Sequence, residues 1–157
     1  TASIFDPPFM RARLGSIRSV RIVSAVSEDD LFGERVEGLY YASWLSVQLG
    51  HHIDREGSAY GSEGKIDYRF ERRRQQSDSG SVVFVEIQFD DGSSASIERE
   101  AGSLRANVVG AHTTTTVTRC QARDSADLIV RQLAPTRDDL VFTKALPLAA
   151  ALAKQLR

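Results

Sequence analysis

Possible metal ligands lie together in a polar segment near the middle of the chain. His51, His52, Asp54 and Glu56 are all of residue types that bind metal ions. Adjacent histidines point in different directions, and the His-x-Asp-x-Glu spacing matches no closed zinc or calcium motif. A solvated turn is the simpler interpretation of these residues, so the sequence predicts no metal site here.

A glycine-rich run over residues 57–65, GSAYGSEGK, has the composition of a phosphate-binding loop. A Walker loop requires a glycine five residues before the Gly-Lys pair, a Ser or Thr after the lysine, and then a helix. Here Ala59 holds the first position, Ile66 follows Lys65, and the pattern after it predicts a strand. The run therefore predicts a flexible loop that binds no nucleotide or other cofactor.

Charged residues of both signs line the strand predicted after this loop. Period-two alternation places Ile66, Tyr68 and Phe70 on one face of it. The outward row consists of Lys65, Asp67, Arg69, Glu71 and Arg73. The arginines have the charge to meet phosphates, but carboxylates neutralise them, and the whole chain has a formal charge of −1. The sequence therefore predicts a salt-bridged surface and no nucleic-acid partner.

The single cysteine, Cys120, is the remaining reactive side chain. Arg119 and Arg123 are near it in sequence, and cations close to a thiol lower its pKa and make it sensitive to oxidation. Cysteines are more often buried and passive. The sequence leaves both alternatives open, a redox-active thiol and a buried one. One cysteine cannot form an internal disulfide, which favours a reducing, cytoplasmic compartment.

Hydrophobic periodicity organises the chain around one long helix, predicted over residues 29–50. Phe32, Val36 and Leu39 fall on one face of this helix. Gly50 supplies the left-handed residue that ends it. We interpret it as the helix against which a sheet packs.

The rest of the chain shows mostly strand patterns. Strands are predicted over residues 17–26, 65–74 and 82–89, around 95–97 and 104–108, and over 113–120. Two C-terminal helical segments are predicted over 126–134 and 138–157, and Pro147 is expected to kink or split the second. Successive hairpins, such as the one at Asp91-Gly92, favour antiparallel pairing. The predicted fold is therefore α+β, a mostly antiparallel sheet packed against one long helix and C-terminal helices.

Size and composition agree with one domain over residues 1–157. Apolar residues make up 41% of the chain and charged residues 26%, which is the ordinary globular mixture. No apolar run approaches the roughly 20 residues that a membrane-spanning helix needs, so no membrane partner is predicted. Thr1 stands where an initiator methionine would be, which suggests that a longer protein was trimmed here.

Several short motifs together resemble one known family. They are Ile4-Phe-Asp6, the strand from Ile17 to Val23, Ala42-Ser-Trp-Leu45 with Gln48-Leu-Gly50, and Asp138-Asp-Leu-Val-Phe142 followed by Lys144-Ala-Leu146. Their order and spacing are similar to the C-terminal region of the glucose-6-phosphate dehydrogenase assembly proteins, the OpcA family. Phe142 stands where a tyrosine is common in that family. The loop and strand over residues 62–68 look closer to the cyanobacterial members.

The resemblance implies a non-enzymatic partner that promotes assembly and activity of glucose-6-phosphate dehydrogenase, at the entry to the oxidative pentose phosphate pathway. It also implies that this chain is the C-terminal part of a longer protein. It ties no residue to a chemical role. Loop length and mixed charge lead us to expect the dehydrogenase at Tyr60, Glu63, Lys65, Asp67, Arg69, Glu71 and Arg73. The alternative is a domain that senses a small molecule or binds another protein, without catalysis.

Overall fold

The structure is a computed structural model that describes residues 8–26, 36–74, 81–100, 102–110, 113–119 and 140–156. Its strands are β1 (Ile17–Val26), β2 (His52–Ile53), β3 (Ala59–Gly61), β4 (Gly64–Arg74), β5 (Val82–Phe89), β6 (Ser94–Glu100), β7 (Ser103–Val109) and β8 (Thr114–Arg119). Its helices are α1 (Pro8–Arg13), α2 (Val36–Leu49) and α3 (Leu140–Leu152), with 3₁₀ turns at Leu14–Ser16 and Ala153–Leu156.

Within these residues all eight strands join one mixed sheet, in the order β2-β3-β4-β1-β5-β6-β7-β8. β1 and β4 pair in parallel at its centre, and every other neighbouring pair is antiparallel. A parallel pair needs a long crossover connection, and the segment between these strands contains α2. The hairpins from β5 to β8 bring the following strands back one after another.

The predicted α+β fold is wrong, because the described chain is predominantly β. A long helix was expected over residues 29–50. The described part of this segment contains α2, which has 14 residues. The expected polar loop over residues 51–64 contains two strands, β2 and β3. Strands of two and three residues are too short to produce a visible alternation, so the sequence pattern missed them. The sheet was predicted to be mostly antiparallel, and the parallel pairing of β1 with β4 was not foreseen, since hairpin signals cannot reveal a crossover.

Two helices lie against β1 and β2 on one face of the sheet, whereas β8 is exposed on both of its faces. α2 packs against α3 and β1, and α3 also reaches β2. Gly38 brings α2 close, because a Cβ atom there would lie 3.2 Å from the Ser24 hydroxyl and 3.7 Å from Ile22. The core beneath the helices includes Val20, Ile22, Leu39, Leu45, Tyr68, Val85, Ile87 and Leu152. Apolar burial against the helices therefore holds the central strands in place.

The described helices test two further predictions. Gly50 follows α2 with φ of +69°, which confirms the predicted left-handed stop. α3 continues through Pro147, so the helix is not split there, and the alternative expectation of a kink stays a prediction. The predicted helix over 126–134 and Cys120 lie outside the described residues, so the redox proposal for that thiol stays a prediction.

Candidate functional site

We call the face of the sheet opposite α2 and α3 the open face; its residues on β4 and β8 are exposed, whereas Ser19 and Val23 of β1 are buried. Cross-strand register defines its members, because directly paired residues point to the same side. Ser19 pairs with Asp67 on one side and Gln88 on the other, and Gln88 pairs in turn with Ser94. The same alternation adds Arg21, Val23, Phe84, Glu86, Ser96, Glu98, Arg105, Asn107, Val109, Thr115 and Val117.

The predicted outward row of β4 lies on the open face. Lys65, Asp67, Arg69, Glu71 and Arg73 are all exposed, whereas Ile66 and Tyr68 between them are buried. This confirms the predicted alternation.

The two remaining members of the predicted partner-binding set adjoin this row. Tyr60 pairs directly with Lys65 and therefore shares its face. Glu63 is exposed in the turn between β3 and β4. The structure thus brings the set to one surface, while its role in partner binding stays a prediction.

Ion pairs cross the strands at the centre of this face. The Arg21 guanidinium donates to both carboxylate oxygens of Glu71, at 2.8 and 2.7 Å, and lies 3.9 Å from Glu86. These hydrogen bonds lower the pKa of the Glu71 carboxyl group and raise the pKa of Arg21. A bidentate pair holds both planar groups in one orientation. The central charges are therefore fixed in place and satisfied within the chain.

A second layer of contacts surrounds Phe84. The Arg73 guanidinium donates to Glu98 at 2.7 Å. Arg73 and Arg21 both stand over the Phe84 ring, at 5.8 and 5.5 Å from its centroid. Val23, Ala25 and Val83 form a small buried apolar cluster against which Phe84 packs. The Phe84 ring therefore lies between two salt-bridged arginines and this buried apolar cluster.

The exposed apolar residues lie mainly at the margins of this face. Among the described residues, the large exposed hydrophobic side chains are Tyr60, Val109, Val117 and Leu146. The first three belong to the open face, and Val117 is 60% exposed. Tyr60 lies near the β2 edge of the sheet, and the two valines lie near the β8 edge. The open face therefore has a charged centre and singly exposed apolar side chains at its margins.

Sequence reasoning found β4 but missed its neighbours on this face. Arg21, Phe84 and Glu98 all contribute contacts to the β4 row. The period-two alternation of β1 and β5 was visible in the sequence, and it separates their inward and outward rows. What it could not show is which strands are neighbours, because pairing of β4 with β1 depends on the crossover.

The potential metal ligands do not form a site. His51 is buried and lies with its Nδ1 atom 3.3 Å from the Tyr68 hydroxyl, which is 2.9 Å from that of Ser46. Burial lowers the pKa of His51 and raises the pKa of Tyr68 to about 12. Asp54 accepts backbone hydrogen bonds within its own loop. In the part of the chain that the structure describes, no group of three or more potential ligands converges on one point.

A depression of about 870 Å³ lies at one end of the open face. It is lined by Arg18, Ser19, Lys65, Asp67, Arg69, Gln88, Phe89, Asp90, Gly92 and Ser94. Nearly all of these residues are polar or charged, whereas pockets for small molecules are mostly apolar.

Comparison with known proteins gives one match that covers most of the chain. Residues 1–146 match the OpcA family, described as the C-terminal domain of a glucose-6-phosphate dehydrogenase subunit. No curated protein sequence matches the chain. No helix of the described residues is both long and apolar enough to cross a membrane.

Comparison with solved structures gives a distant similarity. The aldose-aldose oxidoreductase from Caulobacter crescentus, complexed with glycerol, shares 12% sequence identity at a TM-score of 0.42. The comparison covers 95% of this chain and 57% of that one, so the chain spans less than two thirds of the oxidoreductase. Because the family match extends over nearly the whole sequence, the chain belongs to the OpcA family of C-terminal domains of the glucose-6-phosphate dehydrogenase subunit.

Proposed function

We propose that this chain binds glucose-6-phosphate dehydrogenase through the open face and promotes assembly and activity of that enzyme without catalysing a reaction itself. The association with the dehydrogenase is supported by the family. The observation that carries the choice of surface is the exposure of Tyr60, Val109 and Val117 on one face of the sheet. The cyanobacterial type and the cytoplasmic location stay predictions from the sequence.

The open face approaches the size of a protein interface, and its charged centre and apolar margins reverse the usual order of an apolar core inside a polar rim. Six strands about 4.8 Å apart, with about seven residues at 3.3 Å each, project an area of roughly 650 Å². A standard interface buries about 800 Å² on each partner. Tyrosine and arginine are enriched in such interfaces, and both occur here. Fixed charges of both signs favour one orientation of the partner over others.

Small-molecule sensing is the alternative to this function. The depression beside Arg18 and Lys65 is the surface feature that would favour it. Its open form and polar lining suit contact with a protein better than enclosure of a small ligand. We therefore retain binding of a protein partner as the proposed function.

The test measures binding of the full 157-residue chain to glucose-6-phosphate dehydrogenase from the same cell. Val117→Glu and Tyr60→Glu each place a charge at one margin of the open face. Leu146→Glu is the matched control, because Leu146 is 48% exposed on α3, within the helix layer. We expect the margin variants to weaken binding about tenfold, the equivalent of about 1.4 kcal/mol. The control should stay within about twofold of the unmodified chain.

Dehydrogenase activity provides the second readout. The chain alone should produce no turnover of glucose 6-phosphate, whereas the mixture should exceed the dehydrogenase alone. Turnover by the purified chain that one point substitution abolishes would overturn the non-catalytic role. If the unmodified chain does not bind, the dehydrogenase is not its partner. If all variants bind equally well, the contact does not involve the open face.

A further inference from the structure

One end of the open face carries two cations that make no ion pair with any residue that the structure describes. Arg69 pairs with Asp67 at 2.7 Å, and the other central arginines, Arg21 and Arg73, also have carboxylate partners. Within the described ranges, neither Arg18 nor Lys65 makes a side-chain hydrogen bond or ion pair, and both are exposed. Both line the depression at this end of the face. Their positive charge is therefore available to a partner.

A β-bulge places Arg18 at this position. Ile17 pairs with Phe89, but Ser19 pairs with Gln88, so β1 contains one more residue than β5 between these two pairs. Ile17 belongs to the core beneath the helices and Ser19 to the open face. The extra residue, Arg18, is exposed and lines the depression beside Ser19. Bulges commonly redirect a side chain in this way.

The uncharged lining adds an amide donor. The Ser19 hydroxyl donates to the carbonyl oxygen of the Gln88 side chain at 3.1 Å. That contact turns the amide oxygen of Gln88 towards Ser19 and leaves its NH₂ group to donate elsewhere. The guanidinium of Arg18 and the ammonium of Lys65 also only donate. The depression is therefore suited to an anionic acceptor.

The carboxylates that line the depression disfavour anions of high charge. Asp90 lies in the lining, and Asp67 is there too, although Arg69 partly neutralises it. A phosphate dianion would meet stronger repulsion from these groups than a singly charged carboxylate would. The Arg18 guanidinium can bind a carboxylate with two parallel hydrogen bonds.

We propose that this end of the open face binds carboxylate side chains of an acidic segment on glucose-6-phosphate dehydrogenase. The proposal rests on the proposed function, since it assigns a contact within the same interface. Lys65 pairs across the strands with Tyr60, so the cationic end continues directly into the apolar margin of the face. An acidic segment with an adjoining apolar residue would match both parts. Opposite charge at this end accelerates encounter and fixes which end of the partner docks there.

The experiment reverses both cations in the full chain, as Arg18→Glu with Lys65→Glu. The matched control is Arg55→Glu with Lys144→Glu, which changes the net charge equally. Lys144 is exposed on α3, and the backbone of Arg55 accepts a hydrogen bond from Lys154, next to that helix. Association and dissociation rates with the dehydrogenase are measured between low and physiological salt. Melting temperatures of all variants show whether they fold.

We expect the cation reversal to slow association about tenfold at low salt and to reduce its salt dependence. The control should associate nearly as fast as the unmodified chain. Equal rates for both double variants, with the unmodified chain still binding, would overturn this proposal and leave the proposed function standing. No binding by the unmodified chain would instead overturn the proposed function.

A second arm separates a protein carboxylate from a small anion. Sodium phosphate and sodium glutarate are titrated into the chain without the dehydrogenase, and the amide signals of Arg18 and Lys65 are followed by NMR. We expect no saturation below about 10 mM, because an isolated small anion lacks the rest of the interface. Saturation at lower concentration, lost in the double reversal, would overturn the assignment to a dehydrogenase segment in favour of a small anionic ligand.

Discussion

The two faces of the sheet are built from the same strands but differ in burial and charge. On the helix-covered face, Tyr68 of β4 and Ile22 of β1 are buried beneath α2 and α3. On the open face, Arg69 of the same β4 and Arg21 of the same β1 are held by carboxylates and remain partly exposed. Because side chains alternate along a strand, one strand can supply a core and a charged surface together.

This difference indicates where stability and recognition reside. Burial of apolar area dominates folding, so the helix-covered face should carry most of the free energy of unfolding. Partly exposed ion pairs contribute little each, so the open face can vary its charges without loss of the fold. Four predictions test this division, in order of decreasing effect on stability.

Leu39→Ala should lower the free energy of unfolding by about 2–5 kcal/mol, because it leaves a cavity beneath α2. Leu39 is only 9% exposed in the apolar core. Urea unfolding monitored by circular dichroism measures the loss. Val117→Ala on the open face is the control and should stay within about 0.5 kcal/mol. Equal losses in the two variants would show that the faces do not differ as described.

Raising the pH above 10 should destabilise the chain through Tyr68. Its pKa is about 12 in the folded protein, against an ordinary value of 10.0, because burial opposes the charged form. The unfolded chain therefore loses this proton first, so stability falls by about 2 kcal/mol as the pH rises from 10 to 12. Urea unfolding at pH 8, 10 and 11 measures the fall.

Tyr68→Phe is the control for this alkaline effect. It removes the ionisable group, so its stability relative to the unmodified chain should improve as the pH rises. An unchanged difference between the two proteins across that range would contradict the burial of this hydroxyl beneath the helices.

Arg73→Gln should cost about 1 kcal/mol, because it removes an ion pair with Glu98 and a cation–π contact with Phe84. Arg69→Gln should cost less, since its pair with Asp67 lies on one strand and its side chain is 63% exposed. Thermal unfolding of both variants measures the difference. A larger loss of stability in Arg69→Gln would show that the contacts of Arg73 with Glu98 and Phe84 do not stabilise the fold.

Val117→Thr should change the free energy of unfolding least, by less than about 0.5 kcal/mol, because the side chain is largely exposed and threonine also favours strands. Its binding to the dehydrogenase should nevertheless weaken, since the substitution places a hydroxyl at the apolar margin. Parallel measurements of unfolding and binding check this separation. A variant that loses stability but keeps binding would reverse the roles assigned to the two faces.

The sequence determined the local features of this protein. Alternation in residues 65–74 separated the buried row, with Tyr68, from the charged row, with Arg69, because the side chains of a strand point to opposite sides. The bounds of β1, the hairpin at Asp91-Gly92 and the left-handed end of α2 also follow from short patterns of residue type. Each of these depends on neighbours in sequence, which is why sequence reasoning reaches them.

Only the tertiary structure decided which strands are neighbours. The parallel pairing of β1 with β4 joins Arg21 to Glu71, fifty positions apart, and the bulge beside Ser19 adds Arg18 to the open face. No local pattern encodes that pairing, because a crossover leaves no turn signal and pairing energies depend on the whole sheet. The alternation of β4 thus identified its charged row, but the neighbours that turn this row into a surface came from the packing of α2 and α3 on one side of the sheet.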